Sequence, residues 1–361
     1  MNIVFSTTRQ WNPGDEFILM GTINLLNEHF TIKERDGFNP IIYNRNPQTR
    51  RARKRDIIKM IDNFLGKDFI EKFKDNSVKD RKPLDYADLV VFAGSPEWVG
   101  RRLKKLYSEI INYKIPTIFL GIGTGSDKPL VYRDAVNQME ARVFENFTKL
   151  ATARDEYAFN AIKHFDFARL LPCPALFASK THRKVQNVKK IGLIYSTVNS
   201  EGGNNVSSET HKFILDFYKK LLKEQGDKYE FEFIAHYIDE LSEFKKDFPN
   251  ETMRYSYDSK DYLDIYAKYD FVIGCRVHGV GISASLGIPG LMISHDERCK
   301  AAKGFLSDSI SIEILIDEAI KIVNENVKNI EEKSKAVIEH KEKTKQEYME
   351  LFDKHISDLF I

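Results

Sequence analysis

The chain has 361 residues, 42% hydrophobic and 30% charged, with 55 Lys and Arg against 53 Asp and Glu for a net charge of +2. This is an ordinary globular composition, which excludes a disordered or fibrous chain, and its charge balance argues against a dedicated nucleic-acid binder, which carries a marked basic excess. The length suits two domains of roughly 150–180 residues each.

The N-terminal stretch MNIVFSTTRQ has no basic region leading into an apolar one, so it reads as a core strand and not as a leader. No run approaches the roughly 18 apolar residues that span a membrane. Cys173, Cys275 and Cys299 lack paired CxxC spacing, so neither a disulfide framework nor a metal site is expected. A cytoplasmic protein is expected.

Short apolar runs then alternate with amphipathic stretches. Strands are predicted at Ile3–Ser6, Pro40–Tyr43, Leu89–Ala93, Thr117–Ile122 and Leu150–Ala153. Helices are predicted at Asp15–His29, Arg53–Leu65, Val99–Asn112, Asp134–Phe147 and Glu156–His164. Consecutive apolar positions suit parallel strands buried on both faces. A polar, basic linker covers 179–190, ending the N-terminal domain at residue 178. The alternation resumes over 191–326, with strands at Ile191–Tyr195, Phe231–Ala235, Thr252–Tyr255, Phe271–Ile273 and Gly290–Ile293. The helices between and after them are His211–Lys223, Asp261–Lys268, Val280–Leu286 and Ile312–Asn324. Residues 327–361 read as one charged helix packing back on the body. The expected fold is α/β, two Rossmann-like doubly wound parallel-sheet domains facing a cleft.

The chemistry gathers where strands end. After the apolar run Phe271–Ile273 come Arg276, His278 and Gly279, leading into a helix. In an extended chain, residues two apart share a side, so Arg276 and His278 are expected to project together at the carboxyl edge of the sheet, where open α/β sheets bind ligands. Arg offers a planar fork for carboxylate or phosphate, and the next helix start attracts anions. The bland alternative is a structural Arg–Asp pair with a capping histidine. Asn12-Pro13-Gly14-Asp15 follows strand one and precedes a helix, with Asp15 as the expected N-cap. Gly121-Ile-Gly123-Thr-Gly125 lacks the spacing of a dinucleotide fingerprint. Glu97 and Trp98 follow another strand, Trp98 offering a sugar-stacking face, and His236 ends Phe231–Ala235 with Asp239 close behind as a partner. The basic run Arg50–Arg55 reads as a solvated patch, and the glycine-bearing 201–208 as a cleft loop. No serine elbow, HExxH or P-loop is present.

In order, these segments resemble the polysaccharide pyruvyl transferase family, whose fold is similar to GT-B glycosyltransferases. The matching pieces are Asn12–Asp15, Gly121–Gly125, Arg154-Asp155, Pro174–Phe177, His236 and Asp270–Pro289. The chain departs from the family pattern at Gly94-Ser95-Pro96, where a glycine run is usual, and at Cys173, where an aspartate is usual. The resemblance implies phosphoenolpyruvate as donor, a sugar or lipid-linked saccharide as acceptor, and no cofactor. By it, the first domain faces the acceptor and the second the donor. Arg276, His278, Gly279, Gly14 and Arg154 hold the donor, Glu97, Trp98 and Gly123 meet the acceptor, and His278, His236 and Asp15 are the acid–base candidates. The alternatives are a GT-B glycosyltransferase using a nucleotide-sugar, with Asp296-Glu297 for the ribose, and a non-catalytic glycan-binding protein. Peripheral membrane association and homo-oligomer formation stay open.

Overall fold

A computed structural model describes residues 1–7, 12–44, 83–94, 103–124, 130–198 and 206–360. The predicted helix Arg53–Leu65, the Arg50–Arg55 patch, Glu97, Trp98 and the glycine-rich 201–205 lie outside the described residues.

Among the described residues, two six-stranded sheets, each wholly parallel, form the frame. The first contains β1 (Asn2–Thr7), β2 (Asn39–Asn44), β3 (Leu89–Phe92), β4 (Thr117–Ile122), β5 (Thr148–Ala153) and β6 (Ala168–Leu170), in the order β2-β1-β3-β4-β5-β6. The second contains β7 (Lys190–Ile194), β8 (Glu230–Ile234), β9 (Met253–Arg254), β10 (Phe271–Gly274), β11 (Gly290–Ser294) and β12 (Asp308–Ser311), in the order β12-β11-β10-β7-β8-β9. The β-then-α alternation had called for this architecture. Both faces of the first sheet are buried: Ile3, Phe5, Leu89 and Val91 join one apolar cluster, and Val4, Val90, Phe92 and Phe119 the other. Period-two side chains feeding two cores account for the unbroken apolar runs.

Among the described residues, the helices of the first half are α1 (Pro13–Ile32), α2 (Lys104–Tyr113), α3 (Tyr132–Ala135), α4 (Gln138–Phe147) and α5 (Glu156–Ile162). Those of the second half are α6 (Ser208–Gln225), α7 (Glu240–Asp247), α8 (Asp261–Tyr266), α9 (Val277–Ser285), α10 (Ile316–Lys328) and α11 (Ile330–His355). The stretch predicted as Asp134–Phe147 is broken, because Asn137 caps α4 through a capping box with Glu140. The helix expected over 327–361 is α11, which starts at Ile330 directly after α10 and gives way to a 3-10 turn at Ser357–Phe360. α11 buries Val337, Tyr348 and Phe352 against the body. Its Lys341 Nζ donates to the carbonyls of Ser179 and Ser285, and burial pulls this ammonium down to about 8. No helix among the described residues is long and apolar enough to cross a membrane.

The 3-10 turn Pro174–Phe177 packs on α1, and Asn24 Nδ2 donates to the Phe177 and Ala178 carbonyls. The approach is closest at Gly21, where an added Cβ would lie 1.7 Å from the Pro174 carbonyl oxygen. Backbone on both sides cannot yield as a side chain can. Gly21→Ala is therefore expected to destabilise by about 1–3 kcal/mol through overpacking, despite alanine's better helix propensity. Urea unfolding of the variant measures this, and an unchanged midpoint would refute so tight a contact.

Candidate functional site

Each sheet has one point where consecutive connections leave a strand in opposite directions. In the first it lies between β1 and β3, in the second between β7 and β10. Open α/β sheets bind ligands outside the carboxyl ends of strands at such points. α1 starts after β1, and α9 starts after β10.

The two helix starts meet. An added Cβ at Gly14 would lie 2.4 Å from His278 Nδ1, so the imidazole rests against the glycine Cα. Tyr237 Oη donates to Asn12 Oδ1 at 3.3 Å, joining the same two lobes. From the end of β5, Arg154 Nη1 lies 2.5 Å from His278 Nε2. Cys173 Sγ is 3.9 Å from that same nitrogen. Burial first, then Arg154 and His236, hold the His278 pKa well below the usual imidazole range. The half-buried Arg154 forms no ion pair with a carboxylate among the described residues, which leaves a cation beside both helix starts.

Arg276 takes a different direction from His278, contrary to the strand-end expectation. β10 stops at Gly274, Arg276 is the N-cap with φ −106° and ψ 112°, and Val277 already begins α9. The two-residue repeat of a strand therefore does not extend to His278. Arg276 Nη2 donates to Glu240 Oε1, and its guanidinium stacks 4.4 Å from the Tyr237 ring centroid. Glu240 Oε2 accepts the backbone N–H groups of His236 and Tyr237 at 2.8 and 3.0 Å. Arg276 is 7% exposed and Glu240 0%. Burial pushes the Glu240 carboxyl up against the pull of Arg276. The bland alternative is thus partly realised, with glutamate in place of aspartate.

Two further readings are corrected. Asn12, not Asp15, is the N-cap of α1; Pro13 occupies the first helical position and Asp15 lies buried in the first turn. The ring of His236 meets Tyr266 Oη at 2.8 Å instead of Asp239, and its backbone joins Glu240. Gly279 stacks beneath this group, since a Cβ there would lie 2.4 Å from Ile194 Cδ1 and 3.4 Å from His236 Cε1. Gly123 lies under Arg154, with Cβ-to-Nε 2.5 Å. The sequence reading missed Glu240, Tyr237 and Tyr266. Glu240 opens α7, a helix not foreseen, and only the need of a buried arginine for a partner hints at it.

Farther along, His295, Asp296 and Cys299 bring ligand-type atoms within 4.8 Å of one another. Both Asp296 oxygens are engaged by Arg298: Oδ1 accepts its backbone N–H at 3.0 Å and Oδ2 its guanidinium. The carboxylate named as a ribose anchor is therefore already paired.

His236 gives the site a pH signature. Burial, then Arg276, pulls its pKa well below 6.5, whereas the unfolded chain's imidazole titrates near 6.5. Below that pH the unfolded state binds the extra proton, so stability falls as pH falls. The expected slope from this residue is about 1.4 kcal/mol per pH unit. Urea midpoints between pH 7 and 5.5 measure it, and His236→Phe should flatten the profile; parallel profiles would refute the assignment.

A family model described as polysaccharide pyruvyl transferase matches residues 12–297. No curated protein matches the chain. Among solved structures, UDP-GlcNAc 2-epimerase from Neisseria meningitidis bound to UDP-GlcNAc superposes with TM-score 0.51 at 12% identity, covering 94% of this chain and 99% of that one. HepE from Anabaena in complex with UDP-glucose gives TM-score 0.52 at 9% identity, covering 98% and 100%. At such identities the likeness is one of fold, and the fold is GT-B-like.

Proposed function

The chain belongs to the polysaccharide pyruvyl transferase family, and from that premise we propose that it moves the pyruvyl unit of phosphoenolpyruvate onto sugar hydroxyls of a cell-surface polysaccharide or its precursor. The observation that carries this reading is the meeting of Gly14 and His278, which brings one helix N-terminus from each lobe together beside the Arg154 cation. Phosphoenolpyruvate is small and holds a phosphate and a carboxylate close together. Helix-end N–H groups and a guanidinium suit both groups.

The reaction needs no cofactor. C3 of the enol gains a proton, one sugar oxygen bonds to C2, phosphate departs with the C2–O bond, and a second hydroxyl closes the ketal. One hydroxyl proton ends in the new methyl group and the other on phosphate. In this reading Gly14, Gly279, His278, Arg276 and Arg154 surround the donor. Asp15, buried in the first turn of α1, and His236 are the candidates for proton transfer, a duty worth typically 10²–10⁴-fold. Arg276 acts mainly as a support here, its charge balanced by Glu240. The acceptor approaches along Gly123.

A second reading, transfer from a nucleotide-sugar, draws on the fold shared with the UDP-glucose complex of HepE. The pairing of Asp296 with Arg298 weighs against it. Calorimetry and thermal shift with phosphoenolpyruvate beside UDP-glucose and a GDP-sugar separate the two. Phosphoenolpyruvate is expected to bind and raise Tm; binding of a nucleotide-sugar alone would overturn the proposal.

A further inference from the structure

We propose that Arg154 is a positioning residue that reaches from the first lobe and fixes His278 as a neutral imidazole with its proton on Nδ1. The catalytic meaning of this rests on the pyruvyl-transfer reading, but the geometry does not. Arg154 Nη1 faces His278 Nε2 at 2.5 Å. A guanidinium has five N–H donors, no acceptor, and never loses its charge in proteins. A proton on Nε2 would set two donors against each other, so Nε2 must present its lone pair. The single proton of the neutral ring then sits on Nδ1, the atom that rests against Gly14 in the first turn of α1.

Arg154 is itself held for this task. Its backbone N–H donates to the Ile122 carbonyl at 2.8 Å. Its side chain lies across Gly123, where a Cβ would come 2.5 Å from Nε and 3.0 Å from Cζ. Any larger residue at position 123 would displace the guanidinium. The other titratable groups around the ring are Cys173, before the 3-10 turn, and His236, after β8. Asp15 in α1 is close enough to act on Cys173. The thiol is kept protonated by burial and the second imidazole is kept neutral, so Arg154 is the dominant charge on the ring.

The consequence is a division of labour. With Nε2 engaged, His278 is a hydrogen-bond donor through Nδ1 toward an oxygen of a bound anion. It does not accept the proton of an attacking hydroxyl while Arg154 stays in place. The base for that step then lies elsewhere in the cleft, and the fixed orientation of the ring serves to hold the donor.

The test is long-range 1H–15N spectroscopy of the histidine rings of the full-length protein at pH 7 without substrate, with His278 assigned by the signal lost in His278→Gln. The expected wild-type pattern is a bare Nε2 and a protonated Nδ1. Arg154→Lys, still a donor without acceptor capacity, should keep that pattern. Arg154→Met should shift the ring largely to the Nε2–H tautomer and raise its titration midpoint. A wild-type ring protonated on Nε2, a doubly protonated ring, or an Arg154→Met spectrum identical to wild type would each overturn the proposal. The wild-type spectrum decides alone if Arg154→Met does not fold. Because no substrate is present, failure of phosphoenolpyruvate to bind would count against the function and leave this assignment standing.

Discussion

Arg276→Met is expected to cost about 3–5 kcal/mol of stability at pH 8, the loss typical of removing one partner from a buried ion pair. Glu240 is wholly buried, and its carboxylate has three donors: the Arg276 guanidinium and the N–H groups of His236 and Tyr237. Removing the arginine leaves two dipoles to hold a full charge away from water. The variant also loses the guanidinium stacked on Tyr237, whose hydroxyl reaches Asn12 in the other lobe. The loss should depend on pH with a predictable sign. Burial already raises the Glu240 pKa, and without Arg276 it must rise further. A carboxyl whose folded pKa exceeds its unfolded value contributes stability at low pH and loses it as pH climbs through the folded value. The variant should therefore lie closer to wild type at pH 5 than at pH 8. Urea unfolding at the two pH values, with Glu240→Leu added to form a double-mutant cycle, reads the pair directly. A loss below 1 kcal/mol at pH 8, or a gap that widens at pH 5, would mean the pair does not hold this corner.

Much of this was legible in the chain. The strands Ile3–Ser6, Thr117–Ile122 and Phe271–Ile273 stand within a residue or two of their predicted ends, because parallel strands buried on both faces leave an unmistakable apolar run. The last strand of each sheet was not legible. β6 has Ala-Arg-Leu and β12 Asp-Ser-Ile-Ser, since an edge strand needs few apolar side chains and is recruited by its neighbour's hydrogen bonds. At the site, the order of motifs pointed to Gly14, Arg154, Arg276 and His278 together. The error lay in direction. A strand's two-residue period was carried past Gly274 into what is already a helix, so two side chains expected to converge on one ligand have separate partners. Glu240 was hidden for a related reason: α7, the segment ELSEFKKD, has two buried positions and reads as polar loop.

Gly14→Ala is expected to lower turnover by about 10²-fold or more while leaving the fold within roughly 1 kcal/mol of wild type. The position is helical, so alanine carries no backbone penalty there and gains in propensity. The cost is local. The new methyl would sit 2.4 Å from His278 Nδ1 and 3.1 Å from its Cγ, and those atoms belong to a ring that can turn, unlike the backbone that faces Gly21. The ring must swing by about an ångström, which breaks its alignment with Arg154 and, in the proposed reaction, moves the Nδ1 proton off the donor. A misplacement of that size costs about 10²-fold when reacting groups are held in near-attack geometry. Phosphate release from phosphoenolpyruvate in the presence of acceptor gives the rate, calorimetry gives donor affinity, and urea unfolding gives the stability control. Loss of rate and donor affinity together with an intact midpoint would match His278 as the donor's anchor. Equal losses of stability and rate would instead mean that the junction of the two helix starts holds the lobes together and nothing more. Full activity in the alanine variant would remove Gly14 and His278 from the reaction altogether.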